Sequence, residues 1–292
     1  MNEDGAGALR ALAGGASRLA FAAALPTILG QTLLPSLLRP AVASAQEAPR
    51  AQVRRYPLAT AAGLRLVNLT ATPVTYAGKR GLRLTATEAA SRGVARLPIE
   101  QQGRQVETLA VVDGVDFTDG VIEAEIAGAV APGAAEGARG FVGIAFRVRP
   151  DLATYDQFYL RPTNGRSDDQ ERRNHAAQYV SHPDWPWDRL RRETPSKYEA
   201  YVDLVPGAWT KVRIDVRGDT ARFYVHGRTQ PTLVVNDVKT GARGRGAIAV
   251  MSGPGTIAHV RDLRVGPYPR ARSATHPTLR GARSPITAYD RP

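Results

Sequence analysis

The stretch WTKVRIDVRGDTARFYVHG at residues 209–227 decides the fold class. Val212, Ile214 and Val216 alternate with charged residues, which predicts a strand with one buried face and one solvated face. After the turn sequence Arg-Gly-Asp at 217–219, the run TARFYV repeats the alternation, so the two runs predict a β-hairpin. Similar short runs recur along the chain between turns rich in its 28 glycines and 21 prolines, which is typical of a protein built from many strands.

The rest of the chain offers little helical pattern. No long amphipathic helix can be traced, and strands without intervening helices cannot be joined as parallel crossovers. We therefore expect an all-β domain at residues 64–266, folded as an antiparallel β-sandwich with few helices and one long structured loop. Residues 46–63 are predicted to be a linker, and residues 267–292, rich in proline and arginine, to be a flexible basic tail.

The N-terminal residues have the pattern of a signal peptide. Arg10 and Arg18 precede the apolar run LAFAAALPTILGQTLLPSLL, and Ala43-Ser44-Ala45 provides the small residues that signal peptidases prefer. Prolines interrupt the apolar run, which favours cleavage over retention as a membrane span. The sequence thus predicts a signal peptide at residues 1–45 and an exported, periplasmic or extracellular protein without a membrane span after cleavage.

Composition excludes several kinds of site. There is no cysteine, so neither a disulfide nor a thiolate site can form. The net charge of +12 comes mostly from arginines scattered through strands and loops, and no DNA-binding motif accompanies them, so we expect no nucleic-acid partner. We predict no cofactor; calcium is conceivable only if acidic residues from separate loops meet, because regular spacing is absent. The oligomeric state is left open.

Three longer segments carry a family resemblance. They read DFTDGVIEAEIAG…GFVGIAFRV…YDQFYLRP from residue 116, the hairpin from residue 207, and GAIAVMSGPGTIAHVRDLRV at 246–265. Together they resemble the concanavalin A-like lectin/glucanase jelly roll over roughly residues 64 to 265. Within that superfamily the chain is most similar to 3-keto-disaccharide hydrolase-like and laminin G-like domains. The resemblance implies a concave sheet that faces a carbohydrate.

One strand and the segment after it hold the candidate ligand-binding residues. On YDQFYLRP, Phe158 and Leu160 are expected to face the core, so Gln157, Tyr159 and Arg161 share the other face. Aromatic rings stack on the apolar side of sugars, while guanidinium and amide groups bind their hydroxyls. The segment NHAAQYVSHPDWPWDRLRRE at 174–193 fits neither a helix nor a strand as a whole and reads as a strand that leaves the fold into a loop. The stretch from Asn164 to Glu193 is too long for a hairpin turn, which predicts a structured functional loop. The further ligand-binding candidates are Asn164, Gln178, Tyr179, Trp185, Trp187 and Arg189.

The same loop is expected to close one end of the sheet as a lid. Exposing both tryptophans with Leu190 would leave an apolar patch that monomeric proteins rarely tolerate. We also expect at least one of the lid arginines 189, 191 and 192 to reach Asp168 or Asp169 across the pocket mouth.

Three functions remain open. The first is an exported carbohydrate-binding protein that recognises a glycan or glycoside on its concave sheet. The second, implied by the family resemblance, is cleavage of a 3-keto-glycoside by elimination, with His182 or His175 as base and Arg161 as the partner of the enolate. The third is a structural or adhesive domain that binds a protein. A laminarinase-type mechanism is disfavoured, because IEAEIA offers Glu123 and Glu125 but has Ala127 at the third alternate position.

Overall fold

The computed structural model describes residues 52–95 and 108–268 of the chain. The predicted signal peptide at 1–45 and most of the predicted tail at 267–292 lie outside these residues. The described residues form two β-sheets and three short α-helices, and all strand pairings between them are antiparallel. The predicted all-β sandwich is thus confirmed. Within the described ranges, no helix has the length and apolar character needed to cross a membrane.

The larger sheet contains the hairpin from which the fold was predicted. In spatial order its main path is β13 (Leu233–Val235), β12 (Thr220–Val225), β11 (Thr210–Arg217), β6 (Gly120–Val130), β15 (Thr256–Gly266), β4 (Lys79–Ala86) and β3 (Leu69–Tyr76), with β1 (Arg54–Tyr56) beside β15. Strand β1 falls within the segment 46–63 that was predicted as a linker, so the sheet begins at Arg54 rather than at residue 64.

The smaller sheet carries the strand YDQFYL. Its spatial order is β10 (Glu199–Ala200), β9 (Ala177–His182), β8 (Tyr155–Leu160), β7 (Val142–Val148), β14 (Ala247–Ser252), β5 (Leu109–Val112) and β2 (Leu64–Val67).

The two sheets meet through their predicted apolar faces. In the hairpin, Ile214 of β11 pairs with Phe223 of β12, and the turn places Gly218 at a φ of 59°, in the left-handed region that glycine adopts without a steric penalty. Phe223 then stacks on Phe158 of the smaller sheet, with ring centroids 5.0 Å apart. Burial of each such ring stabilises the fold by roughly 2 to 3 kcal/mol. The apolar residues that alternate in the sequence are therefore also those that form the core.

The segment between β8 and β10 contains helices and a strand, where one long structured loop was predicted. It contains a 3₁₀ turn (Pro162–Asn164), α2 (Gln170–Asn174), β9 and α3 (Trp187–Glu193), while α1 (Glu88–Ala95) lies elsewhere, between β4 and β5. The prolines do not prevent this: Pro183 follows the end of β9, and Pro186 is the N-cap of α3, so neither interrupts a helix. The strand expected within 174–193 is therefore present as β9, but the loop expected after it contains the helix α3.

Candidate functional site

The outer face of the smaller sheet points away from the sandwich core. It is apolar towards β2 and polar towards β10. Strand pairing aligns one row of residues across all seven strands. In spatial order the row reads Val67, Leu109, Met251, Gly143, Tyr159, Gln178 and Glu199. At its centre a Cβ on Gly143 would lie 2.5 Å from Cβ of Tyr159, so the glycine leaves the space that the tyrosine occupies.

A cavity of about 450 Å³ lies on this face. The sheet forms its floor, the segments 133–141 and 253–255 form one wall, and Trp187 of α3 forms part of another. This volume falls within the range of small-molecule sites. Four of the predicted ligand-binding residues besides Trp187 line it: Gln157, Tyr159, Arg161 and Asn164.

Arg161 is held by a network at the polar side of the cavity. Its Nη2 donates to Tyr159 Oη at 2.9 Å and to Gln178 Oε1 at 3.1 Å, and its Nη1 donates to the backbone oxygen of His175 at 2.9 Å. Gln178 is fully buried and is fixed in turn by bonds from its Nε2 to the backbone oxygens of Tyr179 and Tyr198. Gln178 therefore positions Arg161 and does not line the cavity.

Glu199 is the residue of the site that sequence reasoning missed. Its carboxylate, with the side chain 3% exposed, accepts two hydrogen bonds from Arg191, one of 3.0 Å from Nε and one from Nη2. Nη1 of Arg161 lies 3.5 Å from Oε1, and Nδ1 of His175 lies 2.9 Å from Oε2. One buried carboxylate thus joins α3, β8 and the end of α2.

His175 stands beside this carboxylate without a hydrogen bond to it. Despite the short distance, the geometry leaves both ring nitrogens of His175 without a hydrogen-bond partner. Burial lowers the pKa of His175, the two neighbouring arginines lower it further, and Glu199 opposes them. The ring is therefore neutral near pH 7 and can accept a proton.

His182 lies at the other end of the cavity. It pairs with Tyr155 across β8 and β9 and stacks on that ring, with centroids 4.4 Å apart. Tyr155 begins β8 and Arg161 directly follows its last residue, so the two are six residues apart along extended chain, a separation of about 20 Å. Burial lowers the pKa of His182 to about 4. His182 is therefore a weak base, far from the arginine with which it was expected to act.

Tyr179 is placed wrongly by the sequence prediction. Gln178 and Tyr179 are consecutive in β9, so they face opposite sides of the sheet. The Tyr179 side chain is fully buried in the sandwich core, where its hydroxyl donates to Oδ1 of Asp156 at 2.6 Å. Tyr179 cannot contact a ligand in the cavity.

The two tryptophans play different parts. The chain turns back after β9 through two backbone hydrogen bonds between Ser181 and Trp185, which direct Trp187 into the cavity wall. Both rings pack against the core, and the Arg191 guanidinium lies 4.7 Å from the Trp187 ring centroid. Trp185 does not line the cavity, and its ring centroid lies 4.0 Å from the Arg189 guanidinium and 4.5 Å from the Lys239 ammonium. Of the predicted pair, only Trp187 can stack on a ligand in this cavity.

The segment folds onto the sandwich as expected, but its arginines pair differently. Leu190 of α3 is buried in the core. Arg189 binds Glu193 at 2.8 Å and does not line the cavity, Arg191 binds Glu199, and Arg192 lies 3.8 Å from Asp188. The predicted contact to Asp168 or Asp169 is wrong, because Asp169 caps α2 by accepting from two backbone N–H groups.

Acidic clusters do not contribute to the cavity. Glu123 and Glu125 lie on β6 of the larger sheet, where Glu125 pairs with Lys79 and Arg261. Within residues 52–95 and 108–268, no three His, Cys, Asp or Glu side chains come close enough to hold a metal ion.

Comparisons with known proteins return similarities of fold. No family model and no curated protein matches the chain. The carbohydrate-binding module CBM66 from Bacillus subtilis is 10% identical with a TM-score of 0.45, covering 69% of this chain and 93% of that one. A Bacillus subtilis protein of unknown function with a galectin-like fold is 12% identical with a TM-score of 0.44, covering 74% and 96%. A β-glucanase from Bacillus licheniformis is 10% identical with a TM-score of 0.36, covering 75% and 99%.

Similarity this low says nothing about what the cavity of the present chain binds.

Proposed function

We propose that this domain binds a carbohydrate in the cavity on the outer face of its smaller sheet. The observation that carries the proposal is the two-sided cavity, in which Trp187 and apolar strand residues face the fixed polar group of Tyr159 and Arg161. A sugar ring has the matching two-sided chemistry, with apolar C–H faces and hydroxyls around its edge.

Export is part of this proposal. Its support is the pattern of residues 1–45, with arginines before an apolar run and Ala43-Ser44-Ala45 after it. The prediction is checked by N-terminal sequencing of the secreted protein, which should begin near Gln46. Secreted protein that retains residues before Ala43 would contradict cleavage at this position.

The test of sugar binding is a glycan array followed by titration calorimetry with the best ligand. Arg161→Lys keeps the charge but loses the forked geometry that serves three acceptors, so affinity should fall by about tenfold or more. The matched control is Arg213→Lys on the larger sheet, where Arg213 forms a two-bond pair with Asp215. Equal binding by the wild type and by folded Arg161→Lys would contradict this placement of the site.

A second candidate function is elimination from a 3-keto-glycoside, and the position of His175 favours it. A neutral imidazole with unbonded nitrogens stands at the arginine side of the cavity, beside Arg161. A base there would remove the C2 proton, and the C3 ketone oxygen would become an enolate paired with the guanidinium. The enolate electrons then form the C1–C2 double bond and expel the C1 oxygen, which leaves as an alcohol after taking up a proton.

The enzymatic candidate is tested with purified protein and a 3-keto-glucoside. Release of the C1 alcohol by the wild type, lost in a folded His175→Gln variant and kept in His182→Gln, would support it. No release by the wild type would remove it and would leave the binding proposal standing.

A further inference from the structure

Four arginines gather at one end of the cavity, here called the arginine end. They are Arg139, Arg161, Arg172 and Arg191. No aspartate or glutamate is among the described residues that line the cavity. The buried carboxylate behind them, Glu199, pairs with two of the four, Arg161 and Arg191. Among the described residues, the positive charges at this end therefore outnumber the carboxylates near them, Glu199 and the more exposed Glu136 and Glu171.

The other two arginines have no carboxylate partner within the described residues. Arg139 donates through Nη1 to the backbone oxygens of Glu136, at 2.5 Å, and Ala138, at 2.9 Å. Arg172 has a buried Nε without a hydrogen-bond partner. Burial lowers the pKa of Arg139, the positive charges of Arg172 and Arg161 lower it further, and Glu136 opposes them.

Arg147 is an example of a buried arginine with a structural role. It is fully buried, and its guanidinium makes five hydrogen bonds of 2.7 to 3.2 Å that use all three nitrogens. The acceptors are the oxygens of Thr118, Asp119, Gly218, Thr240 and Gly241. The arginine end is different, because Nε of Arg172 is buried there without a hydrogen-bond partner among the described residues.

Unpartnered polar atoms mark the same end. Among the described residues, Oδ1 of Asn164, Nε of Arg172 and both ring nitrogens of His175 are buried without hydrogen-bond partners, although Nδ1 of His175 lies 2.9 Å from Glu199, and all three residues line the cavity. The Asn164 residue is only 4% exposed. A buried polar atom left unpaired costs roughly 1 to 3 kcal/mol, so a group of them converging on one space indicates a polar ligand.

We propose that the bound sugar carries an anionic group, the carboxylate of a uronic acid or a sulfate ester, and that this group sits at the arginine end. The proposal rests on the sugar-binding function above and narrows its ligand class. Guanidinium groups hold carboxylate and sulfate oxygens through paired N–H bonds, and Nε of Arg172 is buried without a hydrogen-bond partner among the described residues. Hydroxyls of the same sugar would donate to the unpaired Oδ1 of Asn164 and form hydrogen bonds with the ring of His175.

The test uses an oligosaccharide array in which each neutral backbone is paired with its uronic acid form and its sulfated form. The acidic forms should bind at least about tenfold more tightly than the neutral form at low salt, and raised ionic strength should reduce the difference. Whether the uronic acid or the sulfate form binds best identifies the anion.

Charge-matched variants locate the effect. Arg172→Gln should remove most of the preference for acidic forms, whereas Arg222→Gln, which removes an exposed charge from the larger sheet, should leave it unchanged. Equal binding of neutral and acidic forms would overturn the anionic inference while sugar binding stands. Binding of no glycan by the folded wild type would overturn the proposed function itself, and an equal loss in both variants would show a general charge effect rather than a site.

Discussion

Replacing Glu199 by glutamine is expected to destabilise the domain strongly, because the change leaves Arg161 buried without a counter-charge. Glutamine nearly conserves shape and keeps one oxygen to accept from Arg191. The Arg161 side chain is 7% exposed, so little solvation replaces the lost carboxylate, whereas Arg191, at 31%, is partly solvated. Removing one partner of a buried ion pair lowers the free energy of unfolding by about 3 to 5 kcal/mol. We expect roughly 3 kcal/mol here, because Arg191 is partly solvated.

Urea unfolding followed by tryptophan fluorescence measures this effect. With a slope of about 3 kcal/mol per M, a loss of roughly 3 kcal/mol lowers the midpoint by about 1 M. The matched control is Glu193→Gln, which breaks an exposed helix pair with Arg189 and should cost about 0.5 kcal/mol or less. A Glu199→Gln midpoint as close to wild type as that of the control would refute the view that Glu199 balances the arginine end.

The same variant also reports on ligand class. With its negative charge removed, the arginine end attracts an anion more strongly, so the folded Glu199→Gln protein should bind an acidic oligosaccharide more tightly than the wild type. An anionic ligand should also raise the unfolding midpoint of the variant more than that of the wild type. Weaker binding in a variant shown to be folded would contradict this reasoning.

Two further predictions concern the segment that forms the cavity wall. Trp187→Ala should weaken sugar binding by about tenfold, whereas Trp185→Ala should keep binding, because its ring does not line the cavity. Both rings pack against the core, so each change should also cost roughly 2 kcal/mol of stability. Calorimetry and urea unfolding measure the two effects, and loss of binding in Trp185→Ala alone would contradict the structure. Because burial lowers the pKa of His182 to about 4 from 6.5, the folded state resists protonation. Stability is therefore full above pH 6.5 and falls as the pH drops towards 4, by about 2 kcal/mol between pH 7 and pH 5. His182→Asn should lose that part of the slope, and an unchanged slope would show that His182 does not cause it.

The fold could be predicted because its signal is local. Alternation in residues 209–227 identifies which side of each strand is buried, and pairing then follows from the short turn at Gly218. The same rule placed Gln157, Tyr159 and Arg161 on one face of β8, and the structure has them lining one cavity. It also shows why Tyr179 was misplaced, since that residue cannot share a face with its neighbour Gln178.

The candidate site was only partly predictable because its charges come together through tertiary packing. Glu199 lies in a two-residue strand whose pairing with β9 brings it to Arg161, and no local pattern indicates that pairing. Arg139 and Arg172 lie in a wall segment and in α2, where arginine usually serves the solvated surface. What distinguishes them is that they lie at the same end of one cavity and have no carboxylate partner within the described residues.

The most direct measurement is a crystal structure after soaking with a panel of mono- and disaccharides in neutral, acidic and 3-oxidised forms. The account predicts a sugar in the cavity, with one ring against Trp187 or Tyr159 and its acidic group within hydrogen-bond distance of Arg139 or Arg172. A sugar bound on the larger sheet, or crystals that take up none of the panel into this cavity, would contradict the claim that the outer face of the smaller sheet is a carbohydrate site.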